Sequence, residues 1–230
     1  GVLHEAVQSA NECIRMHAET NPDTQGMGTT LVAPVIVGNN LYWISVGDSP
    51  LYLLRRGELI RLNQDHSMEP QIEYLVATGA MTWEAAANHP DRNSLTSVLI
   101  GDDIPQIDCP SIPVRLKPGD IVLAASDGLQ FLADEEIAET LQAGVDTSSA
   151  EIIAALMRNI EDLDDPDQDN IALCVIRVVE TVRPVAKLSA VAAVGALQKA
   201  ASKRQTTTFV ATAATTGHGI TYRVSMEKSA

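Results

Sequence analysis

The 230-residue chain carries 30 acidic against 16 basic side chains, a formal net charge of −14. No Lys/Arg run is present to neutralise phosphates, which argues against a nucleic-acid surface. An apolar content of 45% suffices for a real core, in one domain plus an appendage. Cys13, Cys109 and Cys174 are scattered, with no zinc spacing, and suit buried thiols in a reducing compartment; a cytoplasmic setting is expected. No stretch reaches the run of about 18 apolar residues that a membrane span needs; "LSAVAAVGAL" (188–197) is short and bounded by Lys187 and Lys199. The chain opens on Gly1 directly into a helical pattern and reads as a piece of something longer.

Leu3, Val7, Ala10 and Ile14 recur at helical spacing, so residues 2–18 are predicted as an amphipathic helix, stopped by "NPDTQGMG" (21–28). "TTLVAPVIV" (29–37), the turn "GNN" (38–40) and "LYWISV" (41–46) read as a hairpin. "GDSP" then turns into "LYLL" (51–54), and "RRG" into "ELIRL" (58–62), which predicts a four-stranded antiparallel meander. Residues 67–95 read as short helices and loops. "IPVRL" (112–116), "KPGD" (117–120) and "IVLAAS" (121–126) are expected to form another hairpin. Asp134 is the expected N-cap of a helix over 135–142, and Ser148 with Glu151 has capping-box spacing for a helix over 150–160. The polar loop "DLDDPDQDN" (162–170) leads into the apolar strand "IALCVIRVV" (171–179). Residues 181–230 are expected to be a tail or linker, with an Ala-rich helix within 185–204.

Three carboxylates share a peculiarity: each lies in a turn beside an apolar β-run. Asp48 follows "LYWISVG", Asp127 follows "IVLAAS", and Asp169 precedes "NIALCVIRV". Adjacent strand ends would bring them to one point, where carboxylates repel unless protonated or bridged by cations. Oxygen-only ligands select hard ions such as Mg²⁺ or Mn²⁺. Taken singly, each aspartate is more simply a turn former; order and context together carry the metal reading. His66 in "DHS" reads as a structural hydrogen-bonder, and His4, His17, His89 and His218 show no metal-ligand spacing. Ser126 lacks a Gly-x-Ser-x-Gly setting. Asn170 either orients a ligand or fills its turn, and Trp43 and Trp83 fit core or flap packing.

"GMGTTLV", "VGDSPLYLLRRGELIRLNQDHS", "LTSVLIG", "LKPGDIVLAASDGL" and "DNIALCVIRV", in this order, closely resemble the metal-dependent protein phosphatases (the PPM family, or type 2C phosphatases) of bacterial type. The resemblance covers residues 1–180. It implies an α+β fold: a four-layer α/β/β/α sandwich of two antiparallel sheets flanked by helices, N-terminally incomplete. By the match of "SDG" and "DN", Asp127 and Asp169 fall on positions that ligate the first catalytic metal. By the match of "GDS", Asp48 falls on a position that helps hold a third, weaker ion. Gly128 and Asn170 are expected around these ligands. Where the family often has Gly-Asp-Ser-Arg, this chain has Pro50. Residues 67–93 fall on the variable flap.

The implied reaction is hydrolysis of phosphoserine or phosphothreonine on proteins by a metal-activated water, with two or three Mn²⁺ or Mg²⁺ ions. The implied partners are phosphorylated proteins and a Ser/Thr kinase that shares them, with the protein a monomer. The family's Asp-Gly-x-Gly-Gly segment, whose aspartate bridges the two catalytic metals, occurs nowhere in the 230 residues. The chain by itself is therefore expected to be inactive, its parent an enzyme. The competing reading is a non-catalytic pseudophosphatase or regulatory binding module on the same fold.

Overall fold

The computed structural model describes residues 1–166, 168–182 and 205–215. Helix α1 (Val2–Thr20) ends at Asn21 and a short 3-10 turn, Pro22–Thr24. β1 (Leu31–Val37) and β2 (Asn40–Val46) pair antiparallel from Leu31↔Val46 to Val37↔Asn40, so "GNN" makes the expected hairpin. β3 (Leu51–Arg55) and β4 (Glu58–Arg61) form a second hairpin.

The predicted four-stranded meander is corrected: β2 and β3 do not pair. They belong to two sheets, ordered β1-β2-β5 and β4-β3-β6-β7-β8. The chain passes between the sheets over residues 47–50. Gly47 there takes φ +101°, a left-handed conformation foreign to a strand, and Pro50 has no N–H to donate to a ladder.

The hairpin expected from "IPVRL" and "IVLAAS" is also absent. β5 (Val114–Arg115) pairs with β2, whereas β6 (Ile121–Ala125) lies between β3 and β7 (Ala172–Val182). Every residue of β6 is buried, because one face packs between the two sheets and the other under the helices. β3 and β7 occupy both its edges, so residues 112–116 must pair elsewhere. The intervening turn is closed by Asp120, whose buried carboxylate accepts from the Lys117 N–H at 2.7 Å and from Arg55 Nε at 2.9 Å.

The alternation of side chains along these strands sorts the core into three clusters. Leu41 and Trp43 of β2, Leu51 and Leu53 of β3, Val122 and Ala124 of β6, and Ile176 and Val178 of β7 pack between the two sheets. Tyr52, Leu54, Ile121, Leu123 and Val175, on the opposite face of the larger sheet, meet α4 (Asp134–Ala143) and α5 (Ser149–Glu161). Ile44 and Val46, on the outer face of the smaller sheet, meet Val7 of α1 and Leu99. Helix, sheet, sheet, helix is thus the layer order, as the resemblance implied. Asn11, rather than Ala10, faces inward from α1; its amide donates to the Asp102 carbonyl at 2.6 Å and accepts from the Gly101 N–H at 2.8 Å.

Ser148 and Glu151 form the expected capping box of α5. Asp134 does not cap α4. It is the first helical residue, its carboxylate accepts from the Tyr52 hydroxyl at 2.9 Å, and Glu136 instead folds back on the Ala133 N–H. In the flap region, α2 (Glu69–Ala77) and α3 (Trp83–Ala87) are the short helices expected. Trp43 lies in the core, but Trp83 is exposed.

Part of the expected tail is a strand. β8 (Gln205–Thr215) pairs antiparallel with β7 from Ala172↔Thr215 to Val182↔Gln205. Its Thr, Val and Phe residues favour extended backbone, a signal that outweighs the lack of strict alternation. The Ala-rich helix expected within 185–204 lies outside the described residues.

Candidate metal centre

The three sequence-predicted carboxylates line one cavity of about 510 Å³. Asp48 comes from the crossing between sheets, Asp127 from the end of β6, and Asp169 from the loop entering β7. Ser67, Glu69, Arg92 and Asn93 enter from the flap side, and Gln130 and Phe131 from the turn after β6. A second cavity of about 430 Å³ shares Glu69 and Gln130 with the first.

Backbone contacts fix Asp127 beside Asp169. The Ser126 N–H donates to the Ala172 carbonyl at 2.9 Å, and the Ala172 N–H donates to Ser126 Oγ at 3.0 Å, extending the β6–β7 ladder to the turn. Asp127 then opens a 3-10 turn, Asp127–Phe131. At Gly128 an added Cβ would lie 2.7 Å from the Asn170 carbonyl oxygen, so the two turns touch at a point where only glycine fits. Gly128 is thus the spacer between the two carboxylate-bearing turns. Asn170 contributes backbone to this contact, with its carbonyl also 3.3 Å from Ser126 Oγ. Asp127 and Asp169 are both exposed; the Asp169 carboxylate accepts from the Asn170 N–H at 2.6 Å.

Asp48 has a different setting. Its Oδ1 is buried without a hydrogen-bond partner. Burial pushes its carboxyl above the usual range, and the neighbouring charges of Asp127 and then Asp65 push the same way, against its own backbone N–H and the weaker lowering effect of Arg61. Its carbonyl accepts from Arg61 Nη2 at 2.7 Å and from Gln130 Nε2 at 3.2 Å. On the other side of the crossing, buried His66 accepts the Gly47 N–H at Nδ1 over 3.2 Å, which bears out the structural reading of this histidine. Burial lowers the His66 pKa, as befits an imidazole that must present a lone pair.

The donor chemistry fits a hard divalent cation: all-oxygen, with one orphaned carboxylate atom next to a second aspartate. The set is incomplete as a cage. Among the described residues, no three His, Cys, Asp or Glu side chains are grouped closely enough to hold an ion. The expectation that the three aspartates meet at one point is therefore corrected to three aspartates lining one cavity, where unneutralised carboxylates keep apart. Arg61, Glu69, Arg92 and Gln130 were not singled out by sequence. Arg92 donates to Glu69 from the far end of the flap, a long-range pairing that no local pattern announces. Arg61 sits in a strand whose charges read as ordinary surface.

A family model described as "Protein phosphatase 2C" matches residues 2–74. The Mycobacterium tuberculosis Ser/Thr protein phosphatase PstP is 39% identical over 142 residues, covering 61% of this chain and 26% of that protein. The Listeria monocytogenes Ser/Thr phosphatase stp is 36% identical over 141 residues, covering 61% of this chain and 54% of that protein. The chain thus spans about half, or less, of these relatives. Among solved structures, the PstP catalytic domain in complex with two manganese ions superposes with a TM-score of 0.55 at 34% identity, covering 75% of this chain and 68% of that one. Motif order, layer order and these likenesses agree: the chain belongs to the protein phosphatase 2C (PPM) family, in its bacterial Ser/Thr phosphatase branch.

Proposed function

We propose that this chain forms most of a metal-dependent protein phosphatase domain that hydrolyses phosphoserine and phosphothreonine on proteins. The observation that carries the reading is the single cavity lined by Asp48, Asp127 and Asp169. Asp127 and Asp169 would hold Mn²⁺ or Mg²⁺ on the platform of joined strand ends, and Asp48 would add a further ligand from the crossing between the sheets. A bound divalent cation supplies the positive charge that accepts a phosphate dianion and the acidity that makes water a nucleophile at neutral pH. The chain's own residues orient the site: Gly128 and Ser126 keep the two strand ends in register, and Arg92 brings a guanidinium, paired with Glu69, to the same cavity. Phosphoproteins are the proposed substrates, with a Ser/Thr kinase as the opposing activity and a cytoplasmic, monomeric setting. The two-manganese structure of the PstP catalytic domain supports the choice of cation.

The 230 residues alone are proposed to bind Mn²⁺ without appreciable turnover. They contain no Asp-Gly-x-Gly-Gly, and their described residues offer no closed ligand set. Phosphate release from a phosphothreonine peptide, measured with Mn²⁺, tests both statements. The product of the intact gene is expected to turn over and to lose activity with EDTA or with Asp127→Asn, and the isolated chain is expected to be inactive. Full activity of the isolated chain would overturn the second statement. Turnover of the intact product that survives both EDTA and Asp127→Asn would overturn the first.

A further inference from the structure

Asp48 presents a problem that the rest of the site does not. Its side chain is half-buried, and one carboxylate oxygen is buried without a hydrogen-bond partner. A carboxylate left so has to be held in place by what surrounds its main chain. A guanidinium from β4 reaches the crossing, on the main chain of Asp48 rather than on its carboxylate. Arg61 Nη2 donates to the Asp48 carbonyl at 2.7 Å, and Arg61 Nη1 is 2.9 Å from Asp65 Oδ2. Asp65 is itself nearly buried, so the arginine is held at both ends of its fork rather than waving from the surface. The residue two places after Asp48 is Pro50, which offers no charge of its own.

We propose that Arg61 is the positioning residue for Asp48: its guanidinium, held by Asp65, grips the Asp48 carbonyl and fixes the crossing between the sheets, so that the Asp48 carboxylate is presented to a divalent cation. Asp65 is the anchor that keeps the guanidinium aimed at the crossing. The bare alternative is an arginine that only ties β4 to the residues following it. The two differ in consequence. A tie stabilises the fold whether or not Asp48 can bind metal, whereas a positioning residue matters to metal only through Asp48. The inference rests on the cation-binding reading above, and its test separates the two.

The probe is Mn²⁺ alone, titrated into the purified 230-residue chain and followed by the loss of the free-ion paramagnetic resonance signal. Arg61→Met removes both the donors and the charge, and is expected to weaken Mn²⁺ binding about tenfold, the scale seen when a ligand's supporting partner is lost. Arg61→Lys keeps the charge with one donor and should lose about threefold, a partial rescue on the same scale. Asp48→Asn should match Arg61→Met, and the double variant should bind no worse than Asp48→Asn alone, because groups that act through one another are non-additive. Arg158→Gln, on the exposed side of α5, should bind as the parent chain does. Wild-type affinity in Arg61→Met beside a weakened Asp48→Asn would overturn the proposal, as would fully additive losses in the double variant. Should Arg61→Met fail to fold, the Arg61→Lys and Asp48→Asn pair carries the same cycle, with its threefold loss expected to vanish once Asp48→Asn is also present. If neither Asp48→Asn nor Asp127→Asn changes Mn²⁺ binding, the cation reading falls, and the role of Arg61 with it.

Discussion

The turns "VGDSP" and "ASDGL" both present an aspartate to the same cavity, yet they hold it by opposite means. Asp127 stands in the open at the end of a ladder that the Ser126 N–H on Ala172, the Ser126 hydroxyl and the Gly128 contact make rigid. Its position is a property of the main chain, and its charge stays in water. Asp48 rides on a link between two sheets, where no ladder continues. It is partly withdrawn from solvent, its own carbonyl is held by side chains, Arg61 and Gln130, and its neighbours Gly47 and Pro50 are tied to His66 and Ala125. Identical residue types in similar turns therefore carry unequal costs. The exposed carboxylate needs only geometry, and the half-buried one also needs a counter-charge.

The largest expected effect attacks the rigid side. Gly128→Val would drive a side chain into the Asn170 carbonyl, and should destabilise the chain by about 3 kcal/mol in urea unfolding while abolishing Mn²⁺ binding. Gly47→Ala attacks the other turn. It forces a side chain into a left-handed conformation and against Thr30, and should cost about 2 kcal/mol. A reversal of that order would mean that the crossing, not the ladder end, is the stiffer platform.

Next in size is the cation itself. At about ten times its dissociation constant, Mn²⁺ should stabilise the chain by roughly 1.4 kcal/mol, reversibly with EDTA. The gain should disappear in Asp127→Asn and shrink in Asp48→Asn.

Smaller and more discriminating is the metal-free behaviour of the two aspartates. Asp48→Asn should raise stability at neutral pH by less than about 1 kcal/mol, solvent screening limiting the gain, and Asp127→Asn should do so less. The pH dependence sharpens this further. Asp48 binds its proton more tightly folded than unfolded, so its contribution favours folding at low pH. That contribution is lost as pH rises from the usual carboxylate range through the raised folded value. His66 has the opposite signature. Burial lowers its folded pKa, only partly offset by Asp108 and Asp65, so stability falls as pH drops below the ordinary imidazole range. Melting temperatures across this range should lose the first slope in Asp48→Asn and the second in His66→Gln.

How far these features could be read in advance depends on their range along the chain. The hairpins β1–β2 and β3–β4 and the capping box of α5 are local, and their turn and cap residues announce them. Asp48, Asp127 and Asp169 were findable because each closes or opens an apolar run. What could not be read is which runs become neighbours. "LYWISV" and "LYLL" look like consecutive strands of one sheet, and nothing local says that Gly47 and Pro50 send them to different layers. Asp134 looks like a cap until Tyr52, distant in sequence, claims its carboxylate. Arg61 looks like surface charge until the crossing is placed beside it. β8 was missed because its Thr/Ala composition resembles that of a linker, while the open edge of β7 that it pairs with is a tertiary fact.

The core divides into three clusters walled off from one another by the two sheets, and the division has a dynamic consequence. The outermost cluster joins α1 to the small sheet through Val7, Ile44, Val46 and Leu99, fewer buried groups than either of the others. Amide protons of α1 should therefore exchange through a partial opening well below the global free energy, while β3, β6 and β7, enclosed by apolar packing on both faces, exchange last.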